Sequence, residues 1–429
     1  MKNYLNKVVI EGLWGGVRII EFNLDRTFNF LIGRNGSGKT TVINLLAAAL
    51  TADFGRLDKI QFSRIHITLA SYGTRKRPSI EVIKHQKPNL PYFDITYKIK
   101  SSASEEAITY DLDALEEERV FRGIPPKMLR ERHYSERFLY IQRQLEELVH
   151  VNWLSVHRHT EIERSTDDRR FVSAIDAKLS NMNNLLVRHF SKLATNFTAE
   201  TKNFQQTSFL SLTSIQKEAN IRAFVESIDI ETEKKSLASV FELLGVEQKR
   251  YEKQVNQMMQ ELSLARQPFV GEEPISIRQL FAVLNSFKAH ALVQHYEALQ
   301  MRKKEVFAPV DKFLHVMNSL LAPRKKVSIS EQNELVIKNS AGTRIDVEDL
   351  SSGEKQLLII LGHALLQESA FYVYIADEPE LSLHVDWQEK LTLAISQLNP
   401  NAQIVFATHS PDIVGPHSDR ILNMEVLAA

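Results

Sequence analysis

The sequence of 429 residues predicts an α/β fold whose two α/β lobes are separated by a helical insertion. Three observations predict this arrangement. Residues 28–50 read as a buried strand, a glycine-rich turn and a helix, and residues 171–321 read as almost wholly helical. After residue 322 the pattern returns to alternating strands and helices. We therefore set the lobes at 1–165 and 323–429, with the insertion at 166–322.

The N-terminal lobe is predicted to be rich in strands. Apolar runs on either side of Trp14 and two glycines indicate a hairpin. Further strands are indicated by IQFSRIHITLA, SIEVIK, YFDITYKIK and VNWLSVHRH, whereas the charged stretch from residue 101 to 150 is less regular. In the C-terminal lobe the same reading gives a hairpin in KKVSISEQNELVIKN, a helix in VDWQEKLTLAISQL, and strands in FYVYIAD, AQIVFATHS and RILNM.

The insertion carries an apolar pattern of alternating four- and three-residue steps. The positions are Leu237, Phe241, Leu244, Tyr251, Val255, Met258 and Leu262, with Gln248 in the polar slot, followed by Leu280, Leu284, Phe287 and Ala291. We predict a short antiparallel coiled-coil hairpin over residues 237–306, with arms of roughly 45 Å at 1.5 Å per residue. An ordinary pair of packed helices is the alternative. Pro309 is expected to break or kink the second arm near its base.

Composition excludes several classes of protein. Lys+Arg and Asp+Glu both number 53, so the net charge of zero does not indicate a uniformly basic surface, although nucleic acid stays an open alternative as a partner. No apolar run is long enough to span a membrane, and no N-terminal signal segment is evident. The absence of cysteine excludes disulfides and thiolate chemistry and fits a reducing compartment. We expect a cytoplasmic protein with no membrane partner.

The segment GRNGSGKT fits the phosphate-loop pattern of Gly, four residues, Gly-Lys-Thr. Glycines let consecutive backbone N–H groups turn inward around phosphates, Lys39 can reach the β- and γ-phosphates of ATP, and the Thr40 hydroxyl can ligate Mg²⁺. The predicted ATP-binding residues here are Gly33, Arg34, Asn35, Gly36, Ser37, Gly38, Lys39, Thr40 and Thr41.

Two carboxylates and a histidine follow apolar strands of the C-terminal lobe. Asp377 and Glu378 end the strand YVYIAD, at the edge of a parallel sheet where ligands bind. Asp377 is predicted to hold Mg²⁺ together with Thr40, and Glu378 to deprotonate the attacking water. His409, at the end of the next strand, is predicted to contact the γ-phosphate; a purely structural histidine is the alternative.

The segment DLSSGEKQ opens a long apolar helix and permits two interpretations. Ser351 and Glu354 form the spacing of a capping box, which would only start the helix. The same helix start, with Ser352 and Gly353, also presents free N–H groups and a positive dipole end to an anion. The phosphate loop already places one helix start against the phosphates, and a second helix start cannot bind the same phosphates from the same direction. We therefore assign Ser351 and Gly353 to the γ-phosphate of the ATP held by a second copy of the chain. Ser352 and Glu354 are included in this predicted ATP contact.

Five segments resemble, in the same order, the motifs of ABC-type ATPases. They are Gly33–Thr40 for Walker A, Leu350–Gln356 for the signature, Asp377–Glu378 for Walker B, Glu380–His384 for the D-loop and His409 for the switch histidine. The resemblance implies an ABC-type P-loop NTPase fold. One departure is Ser-Ser-Gly in the signature where many relatives have Ser-Gly-Gly, which leaves Ser351 and Gly353 in place.

The helical insertion between Walker A and the signature is similar to the Rad50/SMC branch. The short hairpin and the segment DEPELSLH resemble more closely the compact ATPases of the overcoming-lysogenization-defect group. Such ATPases are common in bacterial anti-phage systems, among them the ATPase subunits of PARIS and Septu.

The resemblance implies an ATPase that closes head to tail around two ATP molecules with Mg²⁺, as a homodimer or within a larger ring. It further implies a sensor or scaffold subunit of an anti-phage complex, set off by a phage protein and controlling a separate effector subunit, a nuclease. The sequence ends about twenty residues after His409, so we expect no nuclease domain of its own. The alternatives are a Rad50/SMC-like DNA-repair or chromosome-organising ATPase and an ATP-stabilised scaffold with little turnover.

The sequence does not assign the roles of several further candidate residues near the nucleotide. The Q-loop glutamine is Gln142, Gln144 or another residue, and His157 and Arg158 are further candidates. Trp14 or a nearby basic residue would stack on adenine, unless Trp14 is a core or hairpin residue.

Overall fold

The computed structural model describes residues 3–86, 93–112, 139–154, 174–214, 218–271, 273–415 and 417–427. The strands are β1 (Asn3–Glu11), β2 (Ile19–Asn23), β3 (Phe28–Ile32), β4 (Arg64–Ser71), β5 (Ser79–Gln86), β6 (Phe93–Lys100), β7 (Ile108–Leu112), β8 (His150–Leu154), β9 (Lys325–Ile329), β10 (Leu335–Asn339), β11 (Arg344–Ile345), β12 (Tyr372–Asp377), β13 (Ala402–Ala407) and β14 (Ile421–Asn423). The helices are α1 (Lys39–Thr51), α2 (Phe54–Lys59), α3 (Ala174–Thr213), α4 (Glu218–Ser227), α5 (Ile230–Leu243), α6 (Gln248–Val270), α7 (Ile277–Leu321), α8 (Ser352–Leu366), α9 (Val385–Leu398), α10 (Pro411–Val414) and α11 (Met424–Leu427).

The chain divides into two compact units. One consists of Met1–Val187 and Lys312–Ala429, and the other of Arg188–Asp311. The changes from one unit to the other fall within the long helices α3 and α7. The lobe boundaries set from the sequence at 165/166 and 322/323 stay a prediction.

The described residues of the first unit form three sheets. A six-stranded antiparallel sheet has the order β2-β1-β4-β5-β6-β7, and β9 to β11 form a small antiparallel sheet. A five-stranded parallel sheet has the order β14-β3-β13-β12-β8. Because β3 and β8 come from the N-terminal part of the chain and β12, β13 and β14 from the C-terminal part, the split α/β fold with a long helical insertion is confirmed.

The parallel sheet places the predicted site residues at one edge. Parallel strands present all their carboxyl ends on the same side. The phosphate loop follows β3, Glu378 follows β12, and Thr408 and His409 follow β13, and these three strands are adjacent. Strands that are far apart in the sequence therefore deliver the loop, the carboxylates and the histidine to one place.

Helix α1 belongs to the core of the first unit. Its apolar residues from Val42 to Leu50 are buried in a cluster with residues of both large sheets. The Tyr97 hydroxyl on β6 donates to the Ala49 carbonyl at 3.3 Å. Burial of each such Leu or Ile side chain contributes about 1.5–3 kcal/mol, so the helix that begins at Lys39 is firmly held.

Most predicted elements of the first unit are confirmed. Strands β1 and β2 pair antiparallel around Trp14, and β9 pairs with β10 as the second hairpin. The stretch predicted to be less regular contains β7 and a helical segment at residues 139–148, which the sequence reading did not identify. Among the helices that the structure describes, none combines the length and apolar character needed to cross a membrane.

The second unit is helical, as predicted, but the first arm of the predicted hairpin is not one helix. Helix α5 ends at Leu243, Gly245 has a φ of 71°, and α6 begins at Gln248. Leu244, at a predicted core position, is 54 % exposed. The apolar spacing continues in step across the turn, so periodicity alone cannot detect the break; glycine at positive φ permits it.

Four helices of this unit share one buried apolar cluster. Its buried members are Phe224, Val225, Ile228, Leu237, Tyr251, Val255, Met259, Leu262, Ala265, Val283 and Val293. They come from α4, α5, α6 and α7, so this core is wider than a two-helix seam. The coiled-coil hairpin itself stays a prediction. Helix α7 continues through Pro309, so the helix does not break there, and a kink at Pro309 stays a prediction.

Candidate functional site

The phosphate loop joins the buried strand β3 to the buried helix α1. Gly36 and Gly38 have φ values of 83° and 95°, which side-chain-bearing residues rarely adopt. A Cβ on Gly38 would also lie 2.1 Å from the Trp14 ring, so only glycine fits there. Arg34, Asn35 and Gly36 are exposed at the tip of the loop, and Thr41 lies in the first turn of α1.

Lys39 lies beneath this loop with 4 % of its surface exposed. Its ammonium group donates to the carbonyls of Gly33 and Arg34 at 2.8 and 3.1 Å. Burial lowers the pKa of Lys39, and the nearby carboxylates of Glu378 and Asp377 offset only part of that effect. The ammonium group is thus held among carbonyls and carboxylates at the edge of the sheet.

Thr40 and Asp377 meet although 337 residues separate them. The Thr40 hydroxyl donates to the Asp377 carboxylate at 3.1 Å. Oxygen ligands of this kind, a hydroxyl and a carboxylate, are those that Mg²⁺ prefers when it also binds phosphates. The pair predicted from two separate motifs is therefore brought together by the fold.

Glu378 and His409 face each other at the ends of neighbouring strands. The Glu378 N–H donates to the Ala407 carbonyl at 2.8 Å, which ties the end of β12 to β13. The His409 Nε2 lies 3.8 Å from the Glu378 Oε1, an ion-pair distance rather than a hydrogen bond. Both side chains are partly exposed and can reach a phosphate and its attacking water at this edge.

The signature segment begins α8 with the predicted capping box. The Ser351 hydroxyl accepts from the Glu354 N–H at 3.4 Å, and the Glu354 carboxylate accepts from the Ser351 N–H at 2.8 Å. Lys325 also donates to Glu354, at 2.7 Å. Burial acts to raise the pKa of Glu354, but the bonds from Lys325 and Ser351 outweigh it and the net direction is downward. Glu354 therefore stays ionised at neutral pH.

Gly353 is fixed by a contact within the same chain. A Cβ at this position would lie 2.3 Å from the Ser382 carbonyl oxygen, so the D-loop turn requires glycine here. Ser351 and Ser352 are exposed. None of the hydrogen bonds or ion pairs among the described residues joins these two serines to residues 33–41.

The phosphate loop fits a nucleotide in two respects. The Ser37 hydroxyl is buried and has no hydrogen-bond partner among the described residues, and a Cβ on Gly36 would meet nothing within 4 Å. A donor without a partner beside an open loop suits a group rich in acceptor oxygens. Residues 33–41 could thus hold the phosphates of ATP, and Thr40 with Asp377 could hold Mg²⁺.

The candidates for adenine stacking and for the Q-loop glutamine lie in different parts of the structure. Trp14 lies against Gly38 and is 50 % exposed, which puts an aromatic face beside the phosphate loop. The Gln142 amide donates to the Thr51 carbonyl at 3.2 Å, and the Gln144 amide to Glu147 at 3.4 Å. His157 and Arg158 lie outside the described residues.

The sequence identifies the D-loop turn only by its resemblance to the D-loop of ABC-type ATPases. From that resemblance no chemical role was assigned to Glu380. The Glu380 carboxylate accepts from the Thr408 hydroxyl at 2.6 Å and from the His409 N–H at 2.9 Å. The Gln356 amide on α8 donates to the Pro379 carbonyl at 2.5 Å. A third carboxylate two residues after Glu378, separated from it by Pro379, was the available signal.

A phosphate loop, an Asp-Glu pair and a histidine on adjacent parallel strands, with the signature helix in the same unit, define a phosphate-loop ATPase of the ABC type. The family model described as "AAA domain, putative AbiEii toxin, Type IV TA system" matches residues 28–415. The chain belongs to this family.

Two curated relatives match parts of the chain. It is 30 % identical over 152 residues to "Septu protein PtuA" of Bacillus thuringiensis, covering 32 % of this chain and 37 % of that protein. It is 34 % identical over 87 residues to "Retron Vc95 probable ATPase" of Vibrio cholerae serotype O1 biovar El Tor, covering 18 % of this chain and 16 % of that protein. The matches thus span well under half of either relative. They confirm the resemblance to the anti-phage group of ABC-type ATPases.

Solved structures show a distant likeness. A Smc head domain of Pyrococcus furiosus, bound to the C-terminal domain of ScpA, is 14 % identical, with 96 % of this chain and 91 % of that chain covered and a TM-score of 0.44. A Smc head domain of Pyrococcus yayanosii with a coiled coil and joint is also 14 % identical, with 96 % and 93 % covered and a TM-score of 0.38.

Proposed function

We propose that the chain is an ATP hydrolase that uses Mg²⁺ and closes head to tail with a second copy around two ATP molecules. One observation carries the proposal: the Thr40 hydroxyl contacts Asp377 at 3.1 Å across 337 residues, at the sheet edge that also presents Lys39 and Glu378. Neither a strand-ending turn nor a helix cap requires a hydroxyl, two carboxylates and an ammonium group at one edge of a sheet. Phosphate binding and activation of water do.

Each group has a defined task in this proposal. The backbone N–H groups of residues 33–41 and the Lys39 ammonium bind the phosphates, and Thr40 and Asp377 hold the metal. Mg²⁺ held by these two residues would supply positive charge beside the β- and γ-phosphates. Glu378 orients the attacking water and accepts its proton, and His409 contacts the γ-phosphate.

The signature helix acts on the ATP of the other copy. Ser351 and Ser352 are exposed at the start of α8, while Gly353 and Glu354 are buried and fix its geometry. An exposed helix start with a serine pair suits an anion that arrives from outside the chain. The capping box starts the helix and leaves this face available, so the two interpretations of DLSSGEKQ are compatible.

We further propose a role as the sensor or scaffold subunit of an anti-phage complex in the cytoplasm. The names of the two curated relatives, a Septu protein and a retron ATPase, support this role. The pair of chains would close on binding ATP and open after hydrolysis. The helical region 166–322 would transmit this conformational change to a separate effector subunit, a nuclease. A phage protein would be the trigger.

The head-to-tail arrangement is tested with two variants, Ser351→Arg and Lys39→Ala. The first places a bulky cation where the partner's γ-phosphate must enter, and the second removes the ammonium that binds phosphate. Neither variant should pair with itself on addition of ATP. A mixture should pair, because one of its two composite sites joins an intact phosphate loop to an intact signature. Light scattering at matched protein concentration measures the pairing.

Calorimetry provides the control for this experiment. Ser351→Arg should bind ATP as a monomer with an affinity close to that of the wild type, whereas Lys39→Ala should not bind it. Lys59→Ala, at an exposed lysine in the same unit, should behave as the wild type. If the mixture pairs no better than either variant alone, the signature serves only to start its helix.

A further inference from the structure

The Glu380 side chain connects the D-loop turn to the strand that carries His409. It is 7 % exposed, and its Oε1 accepts from the Thr408 hydroxyl at 2.6 Å and from the His409 N–H at 2.9 Å. Thr408 is fully buried, and its hydroxyl oxygen in turn accepts from the Ser410 N–H at 2.9 Å. The backbone at His409 is thus held by one buried oxygen atom.

The same turn contacts the start of α8. Gln356 donates to the carbonyl of Pro379, the residue before Glu380, at 2.5 Å. Two residues after Glu380, the Ser382 carbonyl packs against Gly353 so closely that no Cβ fits between them. The Leu383 N–H donates to the Glu380 carbonyl at 2.8 Å, which closes the turn. A shift of the signature helix therefore acts on the turn that holds His409.

A buried carboxylate that accepts from these two donors lowers the stability of the folded chain. The second oxygen, Oε2, is buried and has no hydrogen-bond partner among the described residues. An unsatisfied buried polar atom costs about 1–3 kcal/mol. Holding the Thr408 hydroxyl and the His409 N–H from this one carboxylate therefore carries a cost in stability. Such exceptions call for an explanation in function.

We propose that Glu380 is a positioning residue for ATP hydrolysis, which sets the place of His409 through the Thr408 hydroxyl and the His409 N–H. It touches neither the nucleotide nor the reacting atoms. It keeps His409 at a fixed position relative to Glu378 and to the signature helix. Hydrolysis then proceeds only when the two chains are closed around ATP. This inference rests on the proposed function.

The test compares the full chain carrying Glu380→Ala, Glu380→Gln or Thr408→Val with the wild type. ATP affinity is measured by calorimetry, and kcat and KM by phosphate release. Glu380→Ala removes the acceptor. Thr408→Val removes one donor at nearly constant volume, and with it the acceptor of the Ser410 N–H. Both should lower kcat by about tenfold or more, as expected for small misplacements in an active site. Their ATP dissociation constants should stay within about twofold of the wild-type value, because the phosphate loop is unchanged.

Two further variants distinguish positioning from a general structural effect. Glu380→Gln retains an acceptor oxygen and should recover much of the kcat that Glu380→Ala loses. The double variant Glu380→Ala/Thr408→Val should lose little more than the larger single loss, because both changes remove one shared hydrogen bond. Glu389→Gln, at an exposed carboxylate on α9, is the matched control and should leave kcat unchanged.

The outcomes separate this inference from the proposed function. A wild-type chain that binds no ATP or hydrolyses none contradicts the proposed function. A wild-type chain that hydrolyses ATP beside a Glu380→Ala variant of equal kcat contradicts the positioning role alone. Equal loss of ATP affinity and kcat would also overturn it, since that indicates general disruption. If Glu380→Ala does not fold, Thr408→Val decides: a wild-type kcat in that variant overturns the inference.

Discussion

Single residues at the candidate site depend on unusual backbone geometry. Glu378 has a φ of 50°, in the left-handed region that costs a residue with a side chain about 1–2 kcal/mol. Its N–H bonds to the Ala407 carbonyl, and its carbonyl accepts from the Leu381 N–H at 3.1 Å. These contacts hold the strained turn and direct the carboxylate toward His409. Strain of this kind persists where surrounding contacts impose it, often at functional sites.

Glu378→Gln is expected to separate ATP binding from ATP hydrolysis. The amide has the size of the carboxylate and can keep the same backbone turn, but it cannot accept the proton of the attacking water. We expect ATP binding close to that of the wild type and a rate of phosphate release lower by about 10²–10⁴-fold. ATP-driven pairs should persist longer, as followed by light scattering after ATP addition. A variant that releases phosphate at the wild-type rate would show that another group is the base; Glu389→Gln is the exposed-carboxylate control.

At the scale of elements, helices α5 and α7 of the second unit are joined by a partly buried ion pair as well as by the apolar cluster. Glu233 on α5 is 4 % exposed, and its Oε2 lies 2.8 Å from the Nδ1 of His290 on α7. The hydrogen bond to Glu233 raises the pKa of His290, and burial offsets only part of that rise. Gln294 on the same helix also contacts the imidazole, at 3.0 Å.

This pair predicts a stability that depends on pH in one direction. Because the pKa of His290 is higher in the folded chain than the usual histidine value of about 6.5, the contribution of the pair to stability is complete below about pH 6.5 and is lost as pH rises through the folded-state pKa. Glu233→Gln removes the charge at constant size. We expect the variant to melt about 2 °C below the wild type at pH 6, with a smaller gap at pH 9. Calorimetric melts at both pH values measure this, and a gap that widens toward pH 9 would contradict it.

At the scale of the whole molecule, each compact unit has a buried core of its own. The first is built on α1 and the two large sheets, and the second on α4 to α7. Excision of the predicted hairpin, residues 237–306, would cut through the second core. It would leave the buried residues Phe224 and Val225 of α4, and Ile228 just after that helix, without α6 and without most of α7.

Replacing Arg188–Asp311 by a short flexible linker should therefore leave a first unit that melts cooperatively. Its core contains no residue of the removed segment. Replacing only 237–306 should instead give a protein that exposes apolar surface and binds a hydrophobic dye. Circular dichroism melts and dye fluorescence of the two proteins make the comparison. Non-cooperative melting of the first protein would show that the α/β unit depends on the helical one.

The sequence by itself determined the local elements. The spacing of Gly33–Thr40 after an apolar strand predicts the loop and helix that the structure contains, and Ser351 with Glu354 predicts the observed helix start. These features depend on hydrogen bonds and backbone preferences within a few residues, so a short segment suffices to specify them. The order of the motifs along the chain was enough to indicate the ATPase class.

Only the tertiary structure decided which distant residues meet. The contact between Thr40 and Asp377, the bonds from Thr408 and His409 to Glu380, and the approach of Ser382 to Gly353 depend on the strand order of one sheet and the packing of α8. The break at Gly245 was also hidden, because the apolar period continues across it. Contacts of this range are selected by the packing of the whole unit, and no local pattern in the sequence records that packing.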